Sequence, residues 1–271
     1  MTMTKTRSLT LLLGAVLLAS CGESALQVIA APEPAGARVR FFNFGVNAPG
    51  VHFYANDTKM AAISSTGALN SSKGVSIGGT ESVSGTGYGS VSSGGYYGAI
   101  APGSYKLAGK IAAVTDNGLV ISSVTQSLDA GKRYSYYVSG FYNTTTKSAD
   151  GFVVEDPYSD TFDWNNATVR FVNAISNSQP MVLYSKNQTT GVEVPLGAAV
   201  AYKGAGTFTA IPGAVYDISA RLAGSTANAF PTRTSVSFSA GYVYTITARG
   251  DITVTSTTAT NRPFLDNTAN R

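Results

Sequence analysis

One cysteine, one histidine and one tryptophan serve a chain of 271 residues. With Cys21 alone no intrachain disulfide can form, so the folded part must be held by its cores. His52 alone is too little for the usual metal sites, which gather several nitrogen or sulfur ligands. Charge is sparse as well: 13% of residues carry it, and the net balance is only +4. Without clustered lysine and arginine there is no electrostatic footprint for nucleic acid, which is excluded as a partner. No long apolar run is present, and the stretch 9–18 falls short of the roughly 20 residues that a helix needs to cross a bilayer. No segment beyond it keeps a 3.6-residue apolar period, which argues against a helical fold.

What is present begins with Lys5 and Arg7, ahead of that apolar stretch, and with Leu18-Ala19-Ser20-Cys21, which closes it. A positive start, an apolar core and small residues before a cut are the parts of a secretory signal peptide, here 1–20. A cysteine at the cut is more than a plain signal peptide needs. The pattern resembles the lipobox of bacterial lipoproteins. That resemblance implies diacylglycerol on the Cys21 thiol, cleavage just before it and an acylated new amino terminus. The competing reading is a buried cysteine inside an uncleaved hydrophobic start. Each acyl methylene buried in lipid contributes about 0.8 kcal/mol and one chain holds only marginally, so the two or three chains of a lipoprotein would anchor it firmly. Gly22 follows the cysteine where an aspartate would resemble an inner-membrane retention signal. The expected location is therefore the cell envelope, lipid-anchored, in the outer membrane of a Gram-negative bacterium. Loss of Lys5 and Arg7 with the signal leaves a net charge of +4 − 2 = +2.

Residues 21–36 end in Ala31-Pro32-Glu33-Pro34-Ala35-Gly36 and read as a flexible tether, spanning on the order of 20 Å by chain scaling. A strand using Leu26, Val28 and Ile29 is the alternative. Beyond the tether the chain repeats itself. Ala37-Arg38-Val39-Arg40-Phe41-Phe42-Asn43 matches Ala167-Thr168-Val169-Arg170-Phe171-Val172-Asn173 at a shift of 167 − 37 = 130, and Asn47 and Tyr54 keep that shift. Farther on, Pro102-Gly103 matches Pro212-Gly213 and Leu128-Asp129-Ala130-Gly131 matches Phe238-Ser239-Ala240-Gly241, at a shift of 212 − 102 = 110. An indel of 130 − 110 = 20 residues therefore falls between Tyr54 and Pro102, where the serine- and glycine-rich stretch 64–95 lies.

Each copy reads as all-β. Arg38, Arg40 and Phe42 alternate with Val39, Phe41 and Asn43, the period-2 pattern of a half-buried strand. Further strands are expected at 51–56, 119–128, 133–141 and 151–155, with Pro-Gly and Ala-Gly pairs as turns. The expected fold is two tandem immunoglobulin-like β-sandwich domains after the signal peptide. The first spans 37–156 with the insertion 64–95, a linker 157–166 follows, the second spans 167–256, and 257–271 is a tail. A single closed barrel built from both copies is the alternative.

The repeated elements carry a resemblance. Ala37 to Asn43, Tyr54, Pro102-Gly103-Ser104-Tyr105, Ala130-Gly131-Lys132-Arg133-Tyr134 and Gly140 recur as Ala167 to Asn173, Tyr184, Pro212-Gly213-Ala214-Val215-Tyr216, Ala240-Gly241-Tyr242-Val243-Tyr244 and Gly250. In this order they resemble the bacterial domain of unknown function 4397 family, over nearly the whole mature chain. The chain departs at one turn: a histidine-alanine-serine-proline-aspartate-like sequence is replaced by Asn43-Phe44-Gly45 and Asn173-Ala174-Ile175. The family brings no catalytic residues to carry over.

Candidates for chemistry are few. Gly74-Val75-Ser76-Ile77-Gly78 has the spacing of a nucleophile elbow, but the elbow needs a later histidine and a following helix, and His52 comes before it. His52 itself reads as a surface or edge-strand residue. Gly85-Thr86-Gly87-Tyr88-Gly89 has part of a phosphate loop without its spacing or helix, and reads as a hairpin or flexible segment. Asp156, Asp160 and Asp163 at the junction between the domains are the candidate oxygen ligands for Ca²⁺, although their spacing is not that of an EF-hand, and solvated linker charge is the plainer reading. Trp164 beside them could wedge between the domains. Outward tyrosines among Tyr96-Tyr97, Tyr134 to Tyr137 and Tyr242-Val243-Tyr244 could stack on sugars or protein partners. No cofactor is expected. The expected role is structural or interactive and non-catalytic, with the membrane as partner through lipid on Cys21. Binding of a glycan or an envelope protein is the alternative, and a serine hydrolase the distant one.

Overall fold

A computed structural model describes residues 36–61, 68–70, 75–77 and 84–271. Cys21, the signal segment, the tether up to residue 35 and much of the 64–95 insertion lie outside the described residues. Residues 35–271 form a single compact unit with two lobes.

The first lobe holds β1 (Ala37–Asn43), β2 (Val51–Ala55), β3 (Thr58–Ala61), β4 (Ala68–Asn70), β5 (Val75–Ile77), β6 (Ser90–Val91), β7 (Gly98–Ile100), β8 (Gly103–Ile111), β9 (Val120–Leu128), β10 (Arg133–Asn143) and β11 (Ser148–Glu155). The second holds β12 (Asn166–Asn173), β13 (Met181–Asn187), β14 (Glu193–Pro195), β15 (Thr209–Pro212), β16 (Ala214–Leu222), β17 (Arg233–Phe238), β18 (Val243–Arg249) and β19 (Phe264–Ala269). The only helical segment among the described residues is one 3-10 turn, Ser92–Gly95. Each lobe is a β-sandwich. In the first, β11-β10-β1-β6, with β7 also on β1, faces β3-β2-β8-β9. In the second, β15-β12-β18-β19 faces β14-β13-β16-β17. The β4–β5 hairpin, inside the expected insertion, pairs with neither lobe's sheets.

The repeat reappears as register. β1 runs parallel to β10 with Arg40 opposite Ser135, and β12 runs parallel to β18 with Arg170 opposite Thr245. The shifts are again 170 − 40 = 130 and 245 − 135 = 110. The motif residues explain themselves locally. Tyr134 Oη accepts the Asp129 N–H at 3.1 Å, and Tyr244 Oη accepts the Ser239 N–H at 3.1 Å, so each Ala-Gly turn is pinned by the tyrosine that follows it. Gly131 and Gly241, at φ of 75° and 83°, supply the left-handed residue that these turns need. Asn43 and Asn173 are buried, and their amides donate to the loops that follow, Asn43 to the Pro49 and Thr86 carbonyls and Asn173 to that of Val200.

Inside the first lobe Val39, Phe41, Phe53, Leu107 and Tyr136 close the core, and inside the second Val169, Phe171, Leu183, Ile218 and Ile246 do so. A third cluster belongs to both lobes: Phe42, Phe44, Tyr137, Phe152 and Val154 meet Val172 and Ala174. Phe42 stacks on Tyr137 at 4.5 Å and Tyr137 on Phe152 at 4.8 Å, so three aromatic rings form one layer of this shared core. β1 is consequently not half-buried as its alternation suggests. Its Arg40 and Phe42 face is covered by the second lobe, and both faces are dry.

Two further expectations change. Residues 257–271 are not a tail: β19 lies there, pairs antiparallel with β18 over six residues and buries Leu265. The linker 157–166 is tied to both lobes, with Tyr158 donating to the Asn270 carbonyl at 2.9 Å and Asp160 ion-paired to Arg133.

Candidate functional site: a charged seam between the lobes

Arg40 and Arg170 are 0% and 1% exposed, the largest buried side chains of the described residues, and both leave their own lobe. Their place on β1 and β12 follows from strand alternation: Val39, Phe41, Val169 and Phe171 point into the sandwiches, so the arginines must point out of them, toward the other lobe. Arg40 donates through Nη1 to the Ala269 carbonyl at 3.1 Å and through Nη2 to Asn270 Oδ1 at 3.1 Å. Arg170 donates through Nη1 to the Glu155 carbonyl at 2.8 Å and through Nη2 to Asp156 Oδ1. The acceptors are equivalents, since 269 − 155 and 270 − 156 are both 114 and both segments end a strand beside β10 or β18. Ser135 donates to Asp156 at 2.7 Å, and its counterpart Thr245 donates to Asn270 at 3.0 Å. The Arg40 guanidinium lies 4.5 Å from the Tyr97 ring centre and that of Arg170 4.7 Å from Phe208, a matching cation–π pair. The two lobes thus clasp one another through the same contacts, twice, around a local two-fold relation.

The symmetry breaks at one position. Asp156 is a carboxylate and accepts from Arg170, Ser135 and Tyr97, with Arg40 Nη2 3.9 Å away, whereas Asn270 is neutral and its Nδ2 finds no partner. One buried carboxylate therefore serves two buried arginines. Burial, with the Asp156 charge beside it, pushes the Tyr97 hydroxyl far above its ordinary value, which keeps it a donor. At the other edge of the seam Lys203 and Tyr202 of the second lobe reach Asp150 of the first at 2.8 and 3.0 Å. Beside the seam a cavity of about 390 Å³ opens between the 3-10 turn and β19, lined by Tyr96, Tyr97, Asn267, Asn270 and Arg271. What these groups do in the fold is clamp the two lobes together.

The residues singled out by sequence fall elsewhere. Asp156, Asp160 and Asp163 do not converge on a cation: Asp156 faces the arginines, Asp160 pairs with Arg133, and Asp163 accepts from the Asn165 and Asn166 N–H groups of its own turn. Each is engaged by donors of its own surroundings, and among the described residues no three His, Cys, Asp or Glu gather to hold a metal. Trp164 is no wedge, being 74% exposed and stacked on Phe162 at 5.0 Å. His52 is buried on β2, which lies between β3 and β8 and is no edge. Ser76 sits mid-strand in the β4–β5 hairpin, opposite Leu69, and not on a strand-to-helix turn. In 85–89 the backbone of Thr86 bridges Val51 in both directions and Gly89 donates to the Asn43 carbonyl, so those groups are spent on the sheet. Of the tyrosines, Tyr134, Tyr136 and Tyr137 are interior, while Tyr96 is 80% and Tyr242 51% exposed. The seam itself was signalled only by an arginine repeated at the same strand position of a sparsely charged chain.

Residues 37–184 match the family described as "Domain of unknown function (DUF4397)", which is 148 of 271 residues and more than half of the chain. The chain belongs to this family. The DUF4397 match takes in the first lobe, β12 and the first half of β13, and so includes Arg40, Asp156 and Arg170 of the seam. No curated protein matches the chain. Among solved structures it is similar to "The Bacillus anthracis TIE protein" at 11% identity and a TM-score of 0.25, covering 80% of this chain and 34% of that one.

Proposed function

We propose that this DUF4397 protein is a lipid-anchored protein of the bacterial cell envelope with a structural or interaction role and no catalytic one. The observation that carries the anchor is the order Lys5, Arg7, apolar stretch, Leu18-Ala19-Ser20-Cys21. The non-catalytic part is supported by how the reactive groups are used. Buried charge goes into the lobe clasp, His52 is packed into an inner strand, and Ser76 is not presented on an elbow. Gly22 after the cysteine favours the outer membrane. Mass spectrometry of the amino-terminal peptide from native envelopes is the test. A tri- or diacylated Cys21 at the new terminus is expected, with Cys21→Ala releasing the protein from the membrane fraction. An unmodified thiol on an uncleaved chain ends the proposal.

A second reading, a glycan held beside the seam, is favoured by one observation: Tyr96 stands 80% exposed at the mouth of the cavity that Asn267, Asn270 and Arg271 line. An outward ring beside amides suits a sugar face and its hydroxyls. On a glycan array, binding that Tyr96→Ala abolishes would favour this reading over a purely structural role.

A further inference from the structure

The aromatic residues left outside both cores are not scattered. Trp164 and Phe162 stack at 5.0 Å with their planes 10° apart, 74% and 49% exposed, and Tyr242, 51% exposed, follows Gly241, the residue against which this pair sits. They are held in place. The Arg271 guanidinium lies 4.1 Å from the Phe162 ring centre while donating to the carbonyls of Ser159, Thr161 and Gly241. A Cβ on Gly241 would come within 3.3 Å of the Trp164 ring and 3.7 Å of Phe162, so the stacked pair sits close against that backbone while most of the indole stays exposed. An ordered, outward aromatic surface of this kind is a contact face, because water gains nothing from it and the fold does not need it.

Its position selects the occupant. The described chain starts at Gly36, whose carbonyl accepts from Gly131 at 3.0 Å, and Arg38 is in register with Arg133. Arg133 pairs with Asp160, in the same linker that carries Phe162 and Trp164. The aromatic face and the start of the folded body therefore share one end of the molecule. We propose that Phe162, Trp164 and Tyr242 seat this end on the headgroup layer of the bilayer that holds the lipid on Cys21, an inference that rests on the anchor proposed above. Tryptophan and tyrosine are the side chains that settle at membrane–water interfaces, with an apolar ring inward and a polar edge outward. The sequence distance permits it: Gly36 follows Cys21 by 15 residues, and a chain of that length reaches at most about 50 Å, so this end of the body stays within reach of the anchored surface. The neighbouring charges are largely engaged. Arg133 is paired with Asp160, Lys132 lies 3.2 and 3.1 Å from Asp129 and Glu155, and Arg271 is held by carbonyls over Phe162, so contact is driven mainly by the rings.

Trp164 is the single tryptophan of the chain and reports on itself. The native lipoprotein is reconstituted into vesicles of phosphatidylethanolamine and phosphatidylglycerol containing phosphatidylcholine brominated near the glycerol end of its acyl chains. Trp164 fluorescence should be quenched about twofold relative to unbrominated vesicles, as for an interfacial ring, and Phe162→Ala with Tyr242→Ala should remove most of that quenching while the protein still floats with the vesicles. Flotation with no quenching overturns the seating and leaves the anchor standing. Failure to float overturns both. A shift of Trp164 emission on adding envelope oligosaccharides, without quenching by brominated lipid, assigns the face to a glycan and overturns the membrane as its occupant.

Discussion

Asp156 faces two buried arginines and is the one buried carboxylate of the seam that offsets their charge. A buried ion pair is weak evidence of net stabilisation, since desolvation opposes the attraction, but breaking one leaves an uncompensated charge in a dry place. Asp156→Asn should therefore lower the unfolding free energy by about 3–5 kcal/mol in urea titration. Its counterpart gives the opposite expectation. Asn270 already accepts from Arg40 and Thr245, and its Nδ2 is a buried donor without an acceptor. Asn270→Asp removes that orphan and balances the second arginine, so it should raise stability by about 1 kcal/mol, and a loss would show that the seam is already at its best charge. From sequence, the repetition of Arg40 as Arg170 was visible and its meaning was not. Period-2 alternation says which face a residue is on, and only the presence of a second lobe says that this face is dry.

At the scale of elements, strands whose apolar residues alternate were legible, and β2, β9, β10 and β11 lie where the pattern puts them. β19 was not, and the reason is physical. Of Phe264–Ala269 only Leu265 is buried among its apolar residues, and the rest is Asp266, Asn267 and Thr268, so the segment has little to distinguish it from a tail. It is a strand because β18 offers it hydrogen bonds and because its own edge is covered. Arg233 donates to the Leu265 carbonyl at 2.6 Å and Arg40 to that of Ala269, which blocks backbone acceptors that would otherwise invite another strand. Removing 264–271 should consequently not behave as trimming. It uncovers β18, strips Arg40 of its two acceptors in the second lobe and deprives Tyr158 of the Asn270 carbonyl. The truncated chain is expected to be insoluble or rapidly cleaved in limited proteolysis, whereas a soluble, protease-resistant product would return 257–271 to the status of a tail.

For the whole molecule the decisive feature is that two similar sandwiches are not independent. Each could close its own core, yet Phe42, Phe44, Tyr137 and Phe152 share a buried cluster with Val172 and Ala174, and each arginine finds a backbone carbonyl of the other lobe across the seam. Tandem domains on a linker would melt separately, but lobes that share a core should melt together, in a single calorimetric transition whose calorimetric and van't Hoff enthalpies agree. Acid should act on this coupling through Asp150. Burial pushes its carboxyl up, but Lys203, the Gly151 N–H and the Tyr202 hydroxyl together outweigh that and hold it below its ordinary value of 3.8. A carboxylate that is more acidic when folded contributes stability above that value and loses it as the pH falls through the lowered one. The transition should therefore shift down in temperature below about pH 3.8, more steeply than in Asp150→Asn, whose acid limb should be flatter. The carboxylate is 44% exposed, so the difference should be small and should shrink in high salt. Two resolved transitions at neutral pH would mean that the seam holds the lobes side by side without making them one folding unit.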